Sequence, residues 1–209
     1  MLLYHGSKSG IVGPIAPNSR MRCDFGRGFY MGTEREQPLT LICNFPTPVL
    51  YEVDLDVSGL EVVTLGANID WALFVAYNRG KLESARGAGF YRRVSSLADG
   101  ADVICGPIAN DRMFVVLERF FAGDITDVAL VKSLSVLRLG NQFVAKTHKA
   151  CEAISVVGKR SFNTPELAEL RVLAEENRSR GIAQAEEICR RHRREGQYFD
   201  EILQGGAWR

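Results

Sequence analysis

The stretch Leu3-Tyr4-His5-Gly6-Ser7 opens the chain, and the stretch Gly26-Arg27-Gly28-Phe29-Tyr30-Met31-Gly32 follows after a long intervening segment, residues 8–25. We predict that the first stretch is a short strand over residues 2–4. The strand runs into a small polar turn that carries His5 and Gly6. Glycine has no Cβ, so a ligand can approach the backbone of Gly6 closely.

The second stretch alternates glycine with aromatic residues, a poor pattern for an ordinary strand interior. Phe29, Tyr30 and Met31 nevertheless predict a half-buried strand whose side chains alternate between two faces. A histidine and a tyrosine from the two stretches would form the sides of a flat slot. A slot with an aromatic wall and free backbone amides suits a planar heteroaromatic amide.

The composition is that of an ordinary globular protein. The 209 residues suffice for one large domain, or for one domain with a helical appendage. With a net charge of +1, the protein as a whole has no strong electrostatic attraction to nucleic acid or to a membrane surface. Five widely spaced cysteines without a CxxC pair indicate reduced thiols and argue against a zinc site.

No targeting or membrane segment is expected from the pattern. The N-terminus lacks a basic run followed by an apolar core, so no cleaved signal peptide is predicted. No apolar run is long enough to span a bilayer, and no membrane partner is expected. The expected compartment is the cytoplasm, with secretion that uses no cleaved signal as the alternative.

Periodicity and turn residues predict alternating strands and helices. Strands are predicted at residues 49–57, 61–64, 101–105, 142–146 and 152–157. Helices are predicted at residues 33–44 with Thr33 as N-cap, from Asn68 or Asp70 to 79, from 110–112 to 123, and at 126–137. Loops or turns are predicted at residues 8–22, 81–96 and 147–151.

The pattern changes at Asn163, where a tail begins. Thr164-Pro165-Glu166 is typical of a helix start, with proline at the first position. We predict an interruption at residues 179–181, a second helix at 182–195, and a last short helix around Phe199. The basic run at residues 190–194 is typical of a solvated helix face, with nucleic-acid or partner contact as the alternative.

Five short motifs in a fixed order carry a family resemblance. They are His5-Gly6-Ser7, Ile15-Ala16-Pro17, Phe25-Gly26-Arg27-Gly28-Phe29-Tyr30, the segment 106–111, and Gln142-Phe143-Val144. Together they resemble the poly(ADP-ribose) polymerase and diphtheria-toxin type of ADP-ribosyltransferase. They are more similar still to an uncharacterised bacterial family with the same signatures. The resemblance is scattered over residues 2–157 and does not extend into the tail.

The resemblance implies an α+β fold built on a split pair of mainly antiparallel sheets with flanking helices. It places an ADP-ribosyltransferase-like, NAD-binding domain at residues 1–160 and a helical C-terminal extension at 161–209. NAD would be the substrate, and no metal would be required.

The resemblance also assigns roles by position. His5 would bond the adenosine-ribose hydroxyls, the Gly6 backbone would pair with the nicotinamide carboxamide, and Tyr30 would stack on the nicotinamide ring. Gln142 would face the nicotinamide ribose. Further NAD contacts are expected from Ser7, Arg20, Asp24, Gly28 and Phe29. Arg20 has the alternative of being a solvated loop residue, and Asp24 that of bonding its own turn.

Two residues depart from the pattern of the related enzymes. Gln142 stands where relatives often carry glutamate; it can hydrogen-bond a hydroxyl but is neither charged nor a general base. Asp111, which is also a candidate helix cap, is the proposed helper, and Asp54 is a weaker one. Leu41 stands near the spacing of a second tyrosine, so an aliphatic residue, Phe29 or Phe45 would have to complete the ring sandwich.

The expected function is mono-ADP-ribosyl transfer from NAD to a macromolecule, as in bacterial toxins that are neutralised by a small antitoxin or immunity protein. Two alternatives stay open: NAD hydrolysis, and a catalytically silent module that binds NAD or ADP-ribose. The acceptor is also open among protein side chains, RNA, DNA bases and small molecules.

Overall fold

The computed structural model describes residues 1–83, 86–87, 89–108, 111–136 and 140–204. Within its helices, the side chains of residues 111–114, 134–136, 177–178 and 180–182 are outside the description. The chain is an α+β protein, as the resemblance implied.

The strands of the described chain form one seven-stranded mixed sheet. They are β1 (Leu2–Ser7), β2 (Phe29–Gly32), β3 (Val49–Leu55), β4 (Val62–Thr64), β5 (Val103–Pro107), β6 (Asn141–Ala145) and β7 (Ile154–Ser161). Their order is β4-β5-β6-β2-β1-β3-β7. The β4–β5 pair is parallel and every other pair is antiparallel.

Helices lie between and after these strands. They are α1 (Glu36–Ile42), α2 (Ile69–Asn78), α3 (Gly89–Ser95), α4 (Asp111–Phe121), α5 (Asp127–Val136), α6 (His148–Glu152), α7 (Thr164–Arg191) and α8 (Phe199–Leu203). No helix in the described ranges is both long and apolar enough to cross a membrane.

The structure has one continuous sheet where two sheets were expected. The two halves are joined between β1 and β2 by a single register pair, Tyr4–Gly32. By contrast, β1 pairs with β3 along its whole length, from Leu2–Asp54 to Ser7–Val49. We call the junction of β1 and β2 the seam. One pair of residues is enough to join the hydrogen-bonded ladders, and this overturns the expectation of separate sheets.

The sheet is covered on both faces by apolar side chains. The larger cluster lies under α2, α4 and α5 and includes the fully buried Trp71 and Phe120. A second cluster on the opposite face includes Leu3, Phe29 and Val53. Because strand side chains alternate between faces, neighbouring residues of β2 contribute to different clusters.

The prediction that Thr33 caps the first helix is wrong. The hydroxyl of Thr33 accepts a hydrogen bond from the Asn141 amide at 3.0 Å, and Arg35 is the N-cap residue. Pro38 lies in the first turn of α1, where its missing N–H has no intrahelical acceptor. The helix therefore starts later than the sequence pattern suggested.

Two segments predicted as irregular are helical. In the span 81–96, α3 forms because Phe90 and Val94, four residues apart, are both buried among charged neighbours. In the span 147–151, Thr147 caps α6 by accepting a hydrogen bond from the Ala150 amide at 3.1 Å.

The tail helix α7 is continuous, so the predicted interruption at residues 179–181 is wrong. It starts at a capping box between Asn163 and Glu166 and spans 28 residues. Serine and glycine inside a helix cost about 1 kcal/mol or less each. Burial of Leu167 near one end and of Ala185 and Cys189 near the other outweighs that cost. Ala185 and Cys189 belong to the larger core cluster.

Candidate functional site

The strand β1 extends three residues further than the sequence predicted. His5, Gly6 and Ser7 pair with Tyr51, Leu50 and Val49 of β3, so they are strand residues and no turn follows Tyr4. The polar residues of the motif are therefore held on a rigid element beside the seam. The partner strand, which is distant in sequence, supplies the ladder that extends β1.

The imidazole of His5 bridges the seam. Its Nδ1 lies 2.7 Å from the carbonyl oxygen of Tyr30, and a carbonyl only accepts, so Nδ1 must carry a proton. The ring stacks on Phe29 with centroids 4.2 Å apart. Burial lowers the pKa of His5 below its usual value, and the bond to Tyr30 opposes this shift. In the neutral ring, Nε2 is then a hydrogen-bond acceptor.

Gly6 turns its peptide groups toward the seam. Met1 and Leu55 exchange backbone hydrogen bonds, so every second residue of the strand counted from Met1 directs its N–H and C=O groups toward β3. The residues between them, including Gly6, direct their N–H and C=O groups toward β2. By register Gly6 would oppose Tyr30, yet the strand pairing does not reach this pair. A Cβ on Gly6 would lie 3.0 Å from atoms of Pro38 and Ile42. The close packing of α1 against β1 therefore also depends on a glycine at this position.

Tyr30 and His5 meet through a backbone carbonyl rather than through their rings. The Tyr30 ring packs against the larger core cluster, while its neighbour Phe29 faces the smaller cluster and stacks on His5. The Tyr30 hydroxyl donates to the Gly26 carbonyl at 2.6 Å and accepts from the Phe25 amide at 3.0 Å. Burial raises the pKa of Tyr30 far above its usual value, so the phenol remains protonated.

Gln142 lies in a buried polar group that we call the Asp24 cluster: Asp24, Arg79, Gln142 and the Pro107 carbonyl. The Gln142 amide nitrogen is 3.1 Å from Asp24 Oδ2 and 3.1 Å from the Pro107 oxygen. Arg79 Nε donates to Asp24 Oδ1 at 2.7 Å, and the guanidinium also forms an ion pair with that oxygen. Asp24 is 7% exposed and Gln142 is 6% exposed.

The loop between β1 and β2 is fastened at both ends. Ser7 Oγ accepts from the Gly10 amide at 3.0 Å, and Ser19 Oγ accepts from the Gly28 amide at 3.1 Å. A Cβ on Gly28 would lie 2.3 Å from a methyl of Val144 on β6, so no larger residue fits there. Ser7 and Gly28 thus shape the loop through contacts within the protein.

The remaining predicted residues are not gathered around the seam by any described contact. Arg20 is exposed in the loop. The side chain of Asp111, at the start of α4, is outside the described residues. Asp54 forms an ion pair with the Met1 amino group at 2.8 Å, at the start of β1. Leu41 is 53% exposed, and Phe45 lies under the Lys8 ammonium, 4.5 Å from ring centre to Nζ.

One family model matches this chain, and its description is "Protein of unknown function (DUF3990)". It matches residues 1–156, which is most of the chain. The chain belongs to the DUF3990 family. No curated protein and no solved structure matches it. The matched region contains the seam and the Asp24 cluster and ends within β7, before α7 begins.

Within the DUF3990 region, sequence reasoning missed two residues of the site. The pattern marks Arg79 only as the end of α2, but Arg79 pairs with Asp24, 55 positions away. Lys146 donates to the Phe25 carbonyl, and burial lowers its pKa. Both are charged residues that directly follow an apolar helix or strand, and this position could have marked them as candidates. The position alone does not show which residue each of them contacts.

An open cavity of about 590 Å³ lies beside α3 of the DUF3990 region. It is lined by Arg86, Gly89, Tyr91, Arg92 and Ser95. Arg86 is paired with Glu83, so part of the positive charge at this cavity is already balanced. Among the described residues, no group of His, Cys, Asp and Glu is arranged to hold a metal ion.

Proposed function

We propose that this protein is a mono-ADP-ribosyltransferase that uses NAD as the substrate and transfers ADP-ribose to a macromolecule. The observation that carries the proposal is the seam, where β1–β2 pairing stops and Gly6 presents its peptide groups. Beside it, His5 is oriented with Nε2 as an acceptor. These are groups that suit a carboxamide and sugar hydroxyls.

The reaction would break the bond between the ribose C1′ and the nicotinamide nitrogen, whose electron pair leaves with the base. The sugar carbon gains positive charge, as in glycoside hydrolysis. The acceptor then forms a bond to C1′, and its proton passes to the surrounding water. In this chain, His5 Nε2 would accept from a ribose hydroxyl, Gly6 would hold the carboxamide, and the ring of Tyr30 would border the nicotinamide.

Gln142 would bind the nicotinamide ribose through its carbonyl oxygen, because both amide hydrogens point at Asp24 and Pro107. A neutral amide stabilises the cation less than a carboxylate does and takes no proton from an acceptor. This observation favours two secondary candidates. One is NAD hydrolysis, in which water is the acceptor, and the other is a silent module that binds NAD or ADP-ribose without turnover.

We further propose that the protein acts in the cytoplasm as a bacterial toxin of the toxin–antitoxin or effector kind, held in check by a small antitoxin or immunity protein. The exposed apolar side chains Val172 and Leu173 of α7 support a docking role for the tail. Replacing both by Asp should abolish co-purification of such a partner. Val157→Asp, an equally exposed apolar site on β7, is the matched control.

The deciding experiment incubates the full chain with a bacterial lysate and NAD labelled on the adenylate phosphate. Free nicotinamide and label in macromolecules are followed together. His5→Ala and Tyr30→Ala should abolish both signals, and His148→Ala, an exposed histidine, should not. Nuclease and protease treatment then identify the acceptor class. Nicotinamide release without transferred label would identify a hydrolase, and binding without release would identify the silent module.

A further inference from the structure

We propose that Asp24, held by Arg79, is a positioning residue that fixes which end of the Gln142 amide faces the substrate. The inference rests on the proposed function, because it concerns the group that would bind the nicotinamide ribose. Asp24 itself would then touch no substrate and would act through Gln142.

The argument starts from the hydrogen-bonding capacity of the groups. An ionised carboxylate and a backbone carbonyl only accept, so each must face the nitrogen end of the Gln142 amide. Asp24 Oδ2 and the Pro107 oxygen both do so at 3.1 Å. The two amide hydrogens are therefore engaged, and Oε1 is the end that remains for a hydroxyl donor.

Arg79 keeps the carboxylate from turning. Its guanidinium donates to Asp24 Oδ1 through both Nε and a terminal nitrogen, so that oxygen is held by two charge-assisted hydrogen bonds. Oδ2 is left to receive Gln142. The Trp71 indole supports the other contact, because its nitrogen donates to the same Pro107 oxygen at 3.0 Å. The amide is thus held on two sides by acceptors that are themselves anchored.

The arrangement has an electronic consequence as well. An amide whose N–H donates to a carboxylate is polarised, and its carbonyl oxygen becomes a stronger acceptor in a buried site. Part of the effect of the Asp24 charge would thereby reach a ribose hydroxyl through a neutral side chain. This accounts for a glutamine at a position that faces developing positive charge.

Asp24→Asn is the primary test. The asparagine oxygen would go to Arg79, and its amide nitrogen would then meet the nitrogen of Gln142. The Gln142 amide should turn over and present Nε2 to the substrate. We expect kcat for nicotinamide release to fall about 100-fold, as for a misplaced catalytic contact, with little change in KM for NAD. Asp70→Asn, which removes the ion pair with Arg93, is the matched control and should be neutral.

A second variant separates positioning from a merely structural role. When Asp24→Asn is added to Gln142→Leu, the amide through which Asp24 would act is already absent. Asp24→Asn should therefore cause no further loss of kcat in the Gln142→Leu background, whereas a merely structural role would add its own loss. Near-native kcat in Asp24→Asn, or additive losses in the double variant, would overturn the inference.

A readout that needs no turnover keeps the test independent of the proposed function. The side-chain amide resonances of Gln142, assigned with Gln142→Ala, should shift and exchange faster in Asp24→Asn than in the wild type. Should that variant fail to fold, Arg79→Lys, which leaves the carboxylate in place but holds it less rigidly, should shift the same resonances and speed their exchange to a smaller degree. Unchanged resonances in a folded variant would refute the positioning role. Absence of nicotinamide release by the wild type would refute the proposed function and leave this readout valid.

Discussion

His5 Nδ1 lies 2.7 Å from the carbonyl oxygen of Tyr30, at the point where the pairing of β1 and β2 ends. A side chain thus replaces the next hydrogen bond of the ladder. It joins the two halves of the sheet while the Gly6 peptide groups face the gap. One residue therefore has both a structural bond, through Nδ1, and an available acceptor, Nε2.

The two nitrogens of His5 should be separable by substitution. In His5→Asn the amide nitrogen occupies a position close to Nδ1, so the bond to Tyr30 is kept, while the Nε2 acceptor and the ring stacking on Phe29 are lost. His5→Phe keeps ring stacking on Phe29 but leaves the Tyr30 carbonyl without this donor, at a cost of about 1–3 kcal/mol. Urea denaturation should show the larger loss for phenylalanine, and calorimetry should show weakened NAD binding in both. Wild-type NAD affinity in His5→Asn would contradict the role of Nε2.

The stability should depend on pH through His5. Its pKa is lowered in the folded state, so the unfolded chain binds the proton more tightly. Stability is then fully present above the unfolded value of about 6.5 and falls as the pH drops toward the folded pKa. The wild-type Tm should decrease between pH 7.5 and 5.5 by more than that of His5→Asn. His148→Asn should behave as the wild type, and equal pH profiles for all three proteins would exclude His5 as the cause.

Gly28 should be intolerant of any side chain. An added Cβ would lie 2.3 Å from a Val144 methyl and 2.8 Å from the Ala145 oxygen, and the latter is backbone that cannot move aside. We expect Gly28→Ala to cost about 1–3 kcal/mol of unfolding free energy, typical of overpacking. Gly87→Ala is the control, since no atom lies within 4 Å of its Cβ position. Similar urea midpoints for the two variants would show that β2 and β6 are not packed this closely.

The continuity of α7 can be tested at Ser179, which is exposed near the middle of the helix. Ser179→Pro removes a hydrogen bond inside a continuous helix and should cost about 3 kcal/mol or more. Ser179→Ala should be neutral or slightly stabilising. Thermal unfolding followed by circular dichroism measures both. A proline that is tolerated as well as alanine would mean that the helix is interrupted there.

Gln142→Glu should make stability depend on alkaline pH. The new carboxylate would lie beside Asp24 in a buried site, and two such groups resist simultaneous ionisation. The folded pair would retain a proton that the unfolded chain releases, so stability should fall as the pH rises from 5 to 8. Adding Asp24→Asn should weaken this dependence, because burial and the Pro107 carbonyl still disfavour the charged form of the new carboxyl. A pH-independent Tm for Gln142→Glu would show that Arg79 alone compensates the second charge.

The sequence identified candidate residues for the site, but it did not identify the atoms that they contact. His5, Tyr30 and Gln142 were proposed from motif order, and the structure places them at or next to the seam. The sequence did not show that His5 contacts the Tyr30 backbone, or that Gln142 is bound to Asp24, 118 positions away. Motifs identify residue types, whereas atom-level partners depend on how distant segments pack.

Local interactions account for what the sequence determined by itself. The Asn68 cap of α2, the start of α7 at Thr164 and the alternating strands β2 and β3 each involve residues within a few positions of one another. Such patterns are legible because the physical partners are sequence neighbours. The tertiary structure decided the length of β1, the existence of α3 and the single sheet. Each of these depends on burial or pairing with a segment far away in the chain, and no local pattern specifies that segment.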